Sequence, residues 1–391
     1  MSKVCSIFSQ MLQLISRTGF ETAVRRHEAE RHARGFSSWG QFVAMLFCQL
    51  GGAKSLREIC GGLAASEGKL RHLGLPEAPS RSTLAYANEH RPWQLYETLF
   101  QQLLTQCRAL AVQQSGGQRK FRFKHKLISM DATVIDLCAS VFDWARFRRT
   151  KGAVKLHLLL DHDGFLPCYA VITEGKQHEV RIARQLQYEP GTLLVIDRGY
   201  TDYDWFADLT RQGVFFVTRL KDNADYIVLE DRELPQRKGL LRDQVICFYQ
   251  QARDGQEGYF RRIEFHDEER DRVLVFVTNH MTLAAATVAA VYKQRWQIEL
   301  FFKALKQSLR VKTFVGTSAN ALKTQIWAAL IAMLLIKYLQ LKATFGWSLS
   351  NLVALLRQQL FVYRDLWTWL NDPFQPPPML ESIPEQLALA L

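Results

Sequence analysis

The alternation of apolar and polar positions divides the chain into a helical first part and a mixed second part. Over Phe8–Leu110 apolar residues recur at helical spacing, which predicts an all-helical N-terminal domain. Gly51-Gly52, Gly61-Gly62 and the Pro-containing break Leu75–Ser80 separate its helices. After the last break, Ser80 is a typical N-cap for a helix that runs toward Phe100. The spacing of these helices is compatible with a helix-turn-helix motif.

Short apolar strands alternate with helices after the polar segment Gln113–Gln118, where we place the first boundary. The expected strands are Leu127–Met130, Val154–Leu160, Cys168–Thr173, Thr192–Ile196 and Val214–Thr218. The expected helices between them are Glu179–Gln187 and Tyr203–Gln212. Two hairpin strands followed by strand-helix-strand units predict an α/β fold, a mixed sheet flanked by helices.

The pattern changes again in the last third of the chain. Charged, alternating segments over Tyr226–Val277 predict an inserted antiparallel sheet. Thr282–Leu309 is expected to form one long helix. The apolar run Ile326–Ile336 is shorter than the roughly 20 residues of a membrane span, so it predicts a buried core helix. Helices are expected to continue until Pro376-Pro377-Pro378.

Composition narrows the choice of partner. A formal charge of +12 favours a polyanion, either nucleic acid or an anionic membrane surface, and the charge alone does not choose between them. Neither a leader peptide nor a membrane span is recognisable, so we expect a cytoplasmic protein without a membrane partner. The 7 cysteines are scattered without a C-x-x-C pair, which argues against a disulfide framework and a zinc site.

Two aspartates follow buried apolar strands. Asp131 comes after Leu127–Met130 and Asp197 after Leu193–Ile196, so each is expected at the end of its strand. Carboxylates at strand ends can converge at one edge of a sheet and hold a pair of divalent cations. Either aspartate alone could equally start a turn.

A charged face follows on the expected long helix. Spacings of 0, 3, 7 and 14 place four residues within an arc of roughly 60°: Tyr292, Arg295, Glu299 and Lys306. Trp296 and Lys303 flank this arc. Arg and Lys around a carboxylate suit a site that holds a metal and binds phosphates, although Glu299 and Lys303 could also form an ordinary i,i+4 pair on a solvated face.

This spacing resembles the YREK signature of DDE transposases of the insertion-sequence-four type. The similarity extends to Met130–Thr133, to Asp197–Tyr200 and to the helical opening around Trp39 and Ser55–Glu58. It implies a ribonuclease-H-like core with a β-rich insertion between the second Asp and the Glu. The expected domains are a helical DNA-binding domain over 1–118, a catalytic core over 119–224 and 274–345, an insertion over 225–273 and a helical C-terminal region over 346–391.

The same resemblance implies the chemistry. Asp131, Asp197 and Glu299 would be the catalytic carboxylates and would bind two Mg²⁺ or Mn²⁺ ions per active site. The enzyme would bind the terminal inverted repeats of an insertion sequence, nick each end, form and reopen a hairpin, and join the 3′ ends to target DNA. A homodimer is implied, because two DNA ends must be brought together.

DNA contacts are expected from the charged helix and from a basic segment. Between Arg119 and Lys155 there are ten Lys or Arg against three Asp, which indicates a DNA track or a solvated surface. The residues expected to bind DNA are Tyr292, Arg295, Trp296, Lys303, Lys306, Arg148, Arg149 and Lys151. Of these, Trp296 could stack on an unpaired base or could be a core or helix-packing residue. The role of His178 stays open.

Two other functions use the same residues. A ribonuclease-H-like nuclease or resolvase would need the same carboxylates without strand transfer, and the YREK-like helix argues against it. A non-catalytic DNA-binding descendant could keep the fold, and its simplest sign would be the loss of an acidic residue. Asp131, Asp197 and Glu299 are all present.

Overall fold

The fold is described from a computed structural model. It covers residues 5–31, 33, 35–66, 68–114, 121, 123–138, 142, 144, 146–148, 151–175, 178–234, 239–249, 258–309 and 314–374. The first helices are α1 (Ile7–Leu12), α2 (Arg17–Arg26), α3 (Ser38–Gly51), α4 (Leu56–Ala64), α5 (Arg81–His90) and α6 (Gln94–Gln114). The later helices are α7 (Glu179–Gln185), α8 (Tyr203–Arg211), α9 (Ala285–Gln294), α10 (Trp296–Ser308), α11 (Ala319–Lys342), α12 (Leu349–Gln359) and α13 (Leu366–Asn371).

The strands follow the first six helices. They are β1 (Leu127–Leu137), β2 (Arg146–Arg148), β3 (Lys151–Asp161), β4 (Leu166–Glu174), β5 (Leu193–Ile196), β6 (Phe215–Arg219), β7 (Tyr226–Asp231), β8 (Leu240–Phe248), β9 (Phe260–Asp267) and β10 (Arg272–Thr278). Helix α6 reaches Gln114, so the expected boundary segment begins inside a helix and continues outside the described residues. The run Pro376-Pro377-Pro378 also lies outside them.

Serine side chains begin several helices of the N-terminal part. Each accepts a hydrogen bond from the backbone N–H three residues on: Ser6, Ser16, Ser37, Ser55 and Ser80. The predicted cap at Ser80 is confirmed. The helix does not reach Phe100, however, because Pro92 holds Arg91 in an extended conformation and α5 ends at His90.

Helix α11 is the centre of the helical part. It is long and apolar enough to cross a membrane, but 83% of its most apolar window is buried inside the fold. It packs against α3, α5 and α6, and its Trp327 stacks on Trp93. The predicted core helix over Ile326–Ile336 is therefore confirmed. The same apolar core continues to one face of β3 and β4, so the N-terminal helices and the sheet share it.

The described strands form one sheet with the order β2-β3-β1-β5-β6-β10-β9-β8-β7, and β4 pairs with β3. Strands β1, β5 and β6 are parallel, while β3 is antiparallel to β1 and β4. Leu194 and Ile196 face α8, whereas Leu193 and Val195 face α9, so β5 is buried on both faces. The order β4-β3-β1-β5-β6 is that of a ribonuclease-H-like core, which confirms the predicted fold class.

The inserted segment continues this sheet and does not form a layer of its own. Strands β7, β8, β9 and β10 form an antiparallel meander, and β10 pairs with β6 of the core. The predicted β-rich insertion is confirmed. Its last strand, β10, ends at Thr278, and a short connection leads from there to α9 at Ala285. The insertion is therefore linked through the chain to the charged helix face.

The expected single helix over Thr282–Leu309 is wrong in one respect. Helices α9 and α10 are separated by Arg295, whose backbone is still right-handed helical at φ −52° and ψ −32°. There the hydrogen bonds tighten to the i,i+3 type, from Arg295 N–H to Tyr292 O and from Ile298 N–H to Arg295 O. A hydrophobic pattern does not reveal such a local tightening.

Buried His157 makes the stability of the fold sensitive to acid. The ring is 1% exposed, Nε2 lies 2.9 Å from Thr173 Oγ1, and Nδ1 has no partner among the described residues. Burial and then Lys155 lower the pKa of His157 from 6.5 to about 4. In the unfolded chain this histidine takes up its proton at the higher pH, so acid favours unfolding.

We therefore expect His157 to cost native stability between pH 7 and pH 5. In urea titrations, native protein should lose about 2 kcal/mol over this interval relative to His157→Gln, because glutamine does not titrate. The comparison of two variants cancels the other titrating groups. Parallel pH profiles for the two proteins would contradict the prediction.

Candidate active site

Asp131 and Asp197 lie on neighbouring parallel strands. β1 and β5 pair up to Met130 and Ile196, so the two aspartates are the next residues on both strands. Each strand is held by buried side chains up to that point. The sheet therefore places the two carboxylates side by side where the parallel pairing ends.

Asp131 does not end its strand, and this part of the prediction is wrong. β1 has 11 residues, and Asp131 is paired with Leu158 of β3. The apolar run stops at Asp131, but the antiparallel pairing with β3 continues to Leu137. Asp197 does follow the last residue of β5, and its Oδ1 accepts a hydrogen bond from Gly199 N–H at 3.0 Å.

Arg295 joins Asp131 to Glu299. Its Nη1 donates to Asp131 Oδ2 at 3.5 Å, and its Nη2 donates to Glu299 Oε1. The exposed fractions of the three side chains are only 15% for Arg295, 19% for Asp131 and 31% for Glu299. Solvent screens these ion pairs weakly, so the guanidinium holds Glu299 close to β1.

Two more residues of the charged face, Lys306 and Tyr292, lie on the same side of the helices as Arg295 and Glu299. Lys306 Nζ donates to Val134 O of β1 at 2.8 Å. The Arg295 guanidinium lies 5.8 Å from the centre of the Tyr292 ring, which itself packs against Phe276. Three side chains of the charged face therefore lie along β1: Arg295, Glu299 and Lys306. The fourth, Tyr292, lies next to Arg295.

The carboxylates suit a divalent cation. Burial raises the pKa of Asp131 to about 7, Ala132 N–H and Arg295 oppose this rise, and Asp197 and Glu179 add to it. A negative charge is costly in this place, and carboxylate oxygens are the ligands that Mg²⁺ and Mn²⁺ prefer. Among the described residues, no three His, Cys, Asp or Glu side chains already stand close enough to hold a metal ion. Cation binding thus requires these side chains to move.

The match to a known family decides the identity. The family model of the transposase DDE domain matches residues 122–335, which include all three acidic residues. The chain belongs to the DDE transposase family. A second family model, described as a domain of unknown function, matches residues 4–76. Enzymes of the DDE family generally use divalent metal ions, in agreement with the oxygen-rich site.

Two transposases from bacteria are similar to this chain in sequence, and one solved structure is similar in part of its fold. A Sinorhizobium fredii protein named as transposase y4zB is 28% identical over 314 residues, which cover 79% of this chain and 85% of the relative. A Geobacillus stearothermophilus protein named as a transposase for insertion sequence element IS5377 is 29% identical over 271 residues, 66% of this chain and 67% of the relative. A solved structure of the piggyBac transposase synaptic complex with hairpin DNA aligns with 97% of this chain and 84% of its own, at a TM-score of 0.46 and 8% identity.

Trp296 and Lys303 face outward beside the site of the transposase. The Trp296 side chain is 51% exposed, and Lys303 is exposed one turn beyond Glu299. The reading of Trp296 as a core residue is therefore wrong. The expected stacking role of Trp296 stays a prediction.

The basic segment is only partly visible. Arg148 and Lys151 are opposite each other in the backbone pairing of β2 with β3. Arg149 lies outside the described residues. Arg119, Lys120 and Arg122 also lie outside them. The DNA track therefore stays a prediction.

The sequence pattern did not point to Glu179 or to its ion pair with Lys155. Glu179 begins α7 and forms an ion pair with Lys155 at 3.2 Å, although Lys155 was expected to belong to the DNA track. The neighbouring His178 is exposed and makes no side-chain cap bond to α7. An acidic residue at the start of a helix is common, so nothing in the sequence singled out Glu179.

Proposed function

We propose that this DNA transposase binds the terminal inverted repeats of an insertion sequence and moves it by cut-and-paste transposition. The observation that supports this most is the placement of Asp131 and Asp197 on adjacent parallel strands, with Glu299 held beside Asp131 by Arg295. These three residues would be the catalytic carboxylates. They would hold two Mg²⁺ or Mn²⁺ ions, which supply activation of the attacking water or 3′-hydroxyl and charge neutralisation at the leaving oxygen.

The protein itself would contribute mainly by positioning these residues and the DNA. Asp131 lies within β1 and Asp197 directly follows β5, so the sheet fixes the backbone positions of both residues and only their side chains need to adjust. Glu299 and Arg295 can separate, because Glu299 lies in the first turn of α10 and is 31% exposed. Once the carboxylates are neutralised, Arg295 is free to bind a backbone phosphate bidentately.

The charged helix face would then read the DNA backbone. Lys303 and Lys306 supply point charges on α10, the helix that Arg295 precedes. Tyr292, on the preceding helix α9, adds a phenol hydroxyl. Arg148, Arg149 and Lys151 would extend the contact along the DNA. Strand transfer through a hairpin needs an unstacked base at the cleaved end, and the exposed ring of Trp296 provides a surface for it.

The assembly and the domain roles belong to the same proposal. Residues 1–118 would bind the repeats, residues 119–224 and 274–345 would carry catalysis, residues 225–273 would form the insertion, and residues 346–391 would be the helical C-terminal region. Two copies would act as a homodimer on paired ends, since one active site serves each end. The enzyme would work in the cytoplasm on the nucleoid.

The test is an end-cleavage assay. Native transposase is incubated with DNA that carries the terminal repeats of its own element, with Mg²⁺ or Mn²⁺ added or with a chelator. We expect nicks and hairpins at the element's ends, no products with the chelator, and joining to target DNA at later times. Cuts without joined products would favour a nuclease or resolvase, and binding without cuts would favour a non-catalytic descendant.

A further inference from the structure

Glu179 begins helix α7 and lies near the two proposed catalytic aspartates, which belong to β1 and to the end of β5. Gly199 follows Asp197 closely, and a Cβ at Gly199 would lie 3.5 Å from Asp197 Oδ1 and 3.9 Å from Glu179 Oε2. The two carboxylate oxygens therefore border the same small space, which the missing side chain of Gly199 leaves open. The negative charges of Asp197 and Glu179 also both act on Asp131.

Lys155 is the cation that pairs with Glu179 in this structure. Its Nζ lies 3.2 Å from Glu179 Oε1, and the two side chains are 13% and 31% exposed. Lys155 comes from β3, where its backbone pairs with Val134 of β1. A lysine from the sheet thus neutralises Glu179 in the same way that Arg295 neutralises Asp131 and Glu299.

The Tyr200 hydroxyl is a second, independent sign of a missing ligand. The Tyr200 side chain is 0% exposed, and its hydroxyl has no hydrogen-bond partner among the described residues. Burial is the main cause that raises the pKa of this phenol, and Glu179, Asp131 and Asp197 raise it further. The hydroxyl therefore lies within the field of these three carboxylates. A buried hydroxyl without a partner is costly, and a hydrated cation would bring water to pair with it.

We propose that Glu179 is a fourth carboxylate of the cation site, across Gly199 from Asp197, with Lys155 as its counter-ion when no metal is bound. The proposal rests on the proposed function, because it assumes that Asp131 and Asp197 hold divalent cations. It adds a ligand that comes from α7 and that the YREK-like pattern does not contain. A purely structural Glu179–Lys155 ion pair would not explain the open space at Gly199 or the unpaired Tyr200 hydroxyl.

The test measures metal binding directly and without DNA. Mn²⁺ is titrated into native protein, and free Mn²⁺ is followed by electron paramagnetic resonance. We expect Glu179→Gln to weaken Mn²⁺ binding about tenfold, since loss of a supporting ligand typically has this effect. Gly199→Ala should also weaken binding, because its methyl group would fill the space between the two carboxylates at ordinary contact distances. Its backbone is not in the left-handed region, so the variant should fold.

Controls separate this proposal from the proposed function. Exposed Glu174 at the end of β4 is the matched control, and Glu174→Gln should bind Mn²⁺ as native protein does. If Asp131→Asn loses Mn²⁺ binding but Glu179→Gln keeps it, Glu179 is only an ion-pair partner and the further proposal is wrong. If native protein binds no Mn²⁺, both proposals are wrong. Thermal melting of each variant confirms that binding was measured on folded protein.

Discussion

Asp131→Asn is expected to abolish DNA cleavage without lowering the thermal stability of the transposase. Loss of a metal ligand should cost several kcal/mol of transition-state stabilisation, or a rate lower by about 10³ or more. The fold should not suffer, because burial already raises the pKa of Asp131 to about 7 and thus penalises its charge. Above that pH, the neutral amide removes the penalty and can still accept the hydrogen bond of Arg295.

Asp136→Asn is the matched control for this substitution. Asp136 lies on the same strand but is exposed, and its change should leave both cleavage and melting temperature unaltered. Cleavage is measured on the terminal-repeat DNA, and melting is measured at pH 8. An Asp131→Asn variant that cuts normally would remove Asp131 from the active site, whereas a variant that melts several degrees lower would give it a structural role.

Asp243→Ala is expected to destabilise the protein by about 3–5 kcal/mol, the usual cost of leaving a buried charge without its partner. Asp243 and Arg261 pair across β8 and β9 with 3% and 5% of their side chains exposed. Arg261 Nε donates to Asp243 Oδ1 at 2.7 Å, and its Nη1 donates to Leu283 O. Arg261 thus ties the insertion to the turn that leads into α9 and the charged helix face.

Urea unfolding at pH 7.5 measures this effect. Glu269→Ala removes the exposed pair with Lys293, in which the side chains are 75% and 61% exposed, and should change stability by less than about 0.5 kcal/mol. The double variant Asp243→Leu with Arg261→Met should regain much of the loss, because apolar residues can replace a buried ion pair. Equal effects of Asp243→Ala and Glu269→Ala would contradict the account.

The sequence alone predicts the layers of the fold because burial leaves a direct trace in it. Leu193–Ile196 is apolar at every position, and the structure buries it on both faces. Ile326–Ile336 is apolar all round and becomes the central helix. The pattern does not tell where pairing ends. A charged residue stops the apolar run at Asp131, while the backbone of β1 continues against β3.

The insertion shows a second limit. Alternating charged segments predict antiparallel strands, but strand pairing across the sheet depends on contacts far apart in sequence. The structure attaches the meander to β6 through β10, with Phe276 next to Arg219. This register joins the insertion to the core sheet. No local sequence pattern specifies that β10 pairs with β6.

The site is predictable where a motif carries it and hidden where only the fold assembles it. Resemblance to the YREK pattern points to Arg295 and Glu299, and the structure brings both to Asp131. Glu179 has no such pattern. Its side chain lies near Gly199 only because α7 packs beside the turn that follows β5.

Glu299 carries the central claim, since it is the carboxylate farthest along the chain from the other two. The most direct test compares native transposase with Glu299→Ala on DNA that carries the element's own terminal repeat, with Mn²⁺ present. The account predicts nicked and hairpin products from native protein, none from the variant, and equal DNA binding by both. Normal cleavage by Glu299→Ala would contradict the assignment of Asp131, Asp197 and Glu299 as the active site.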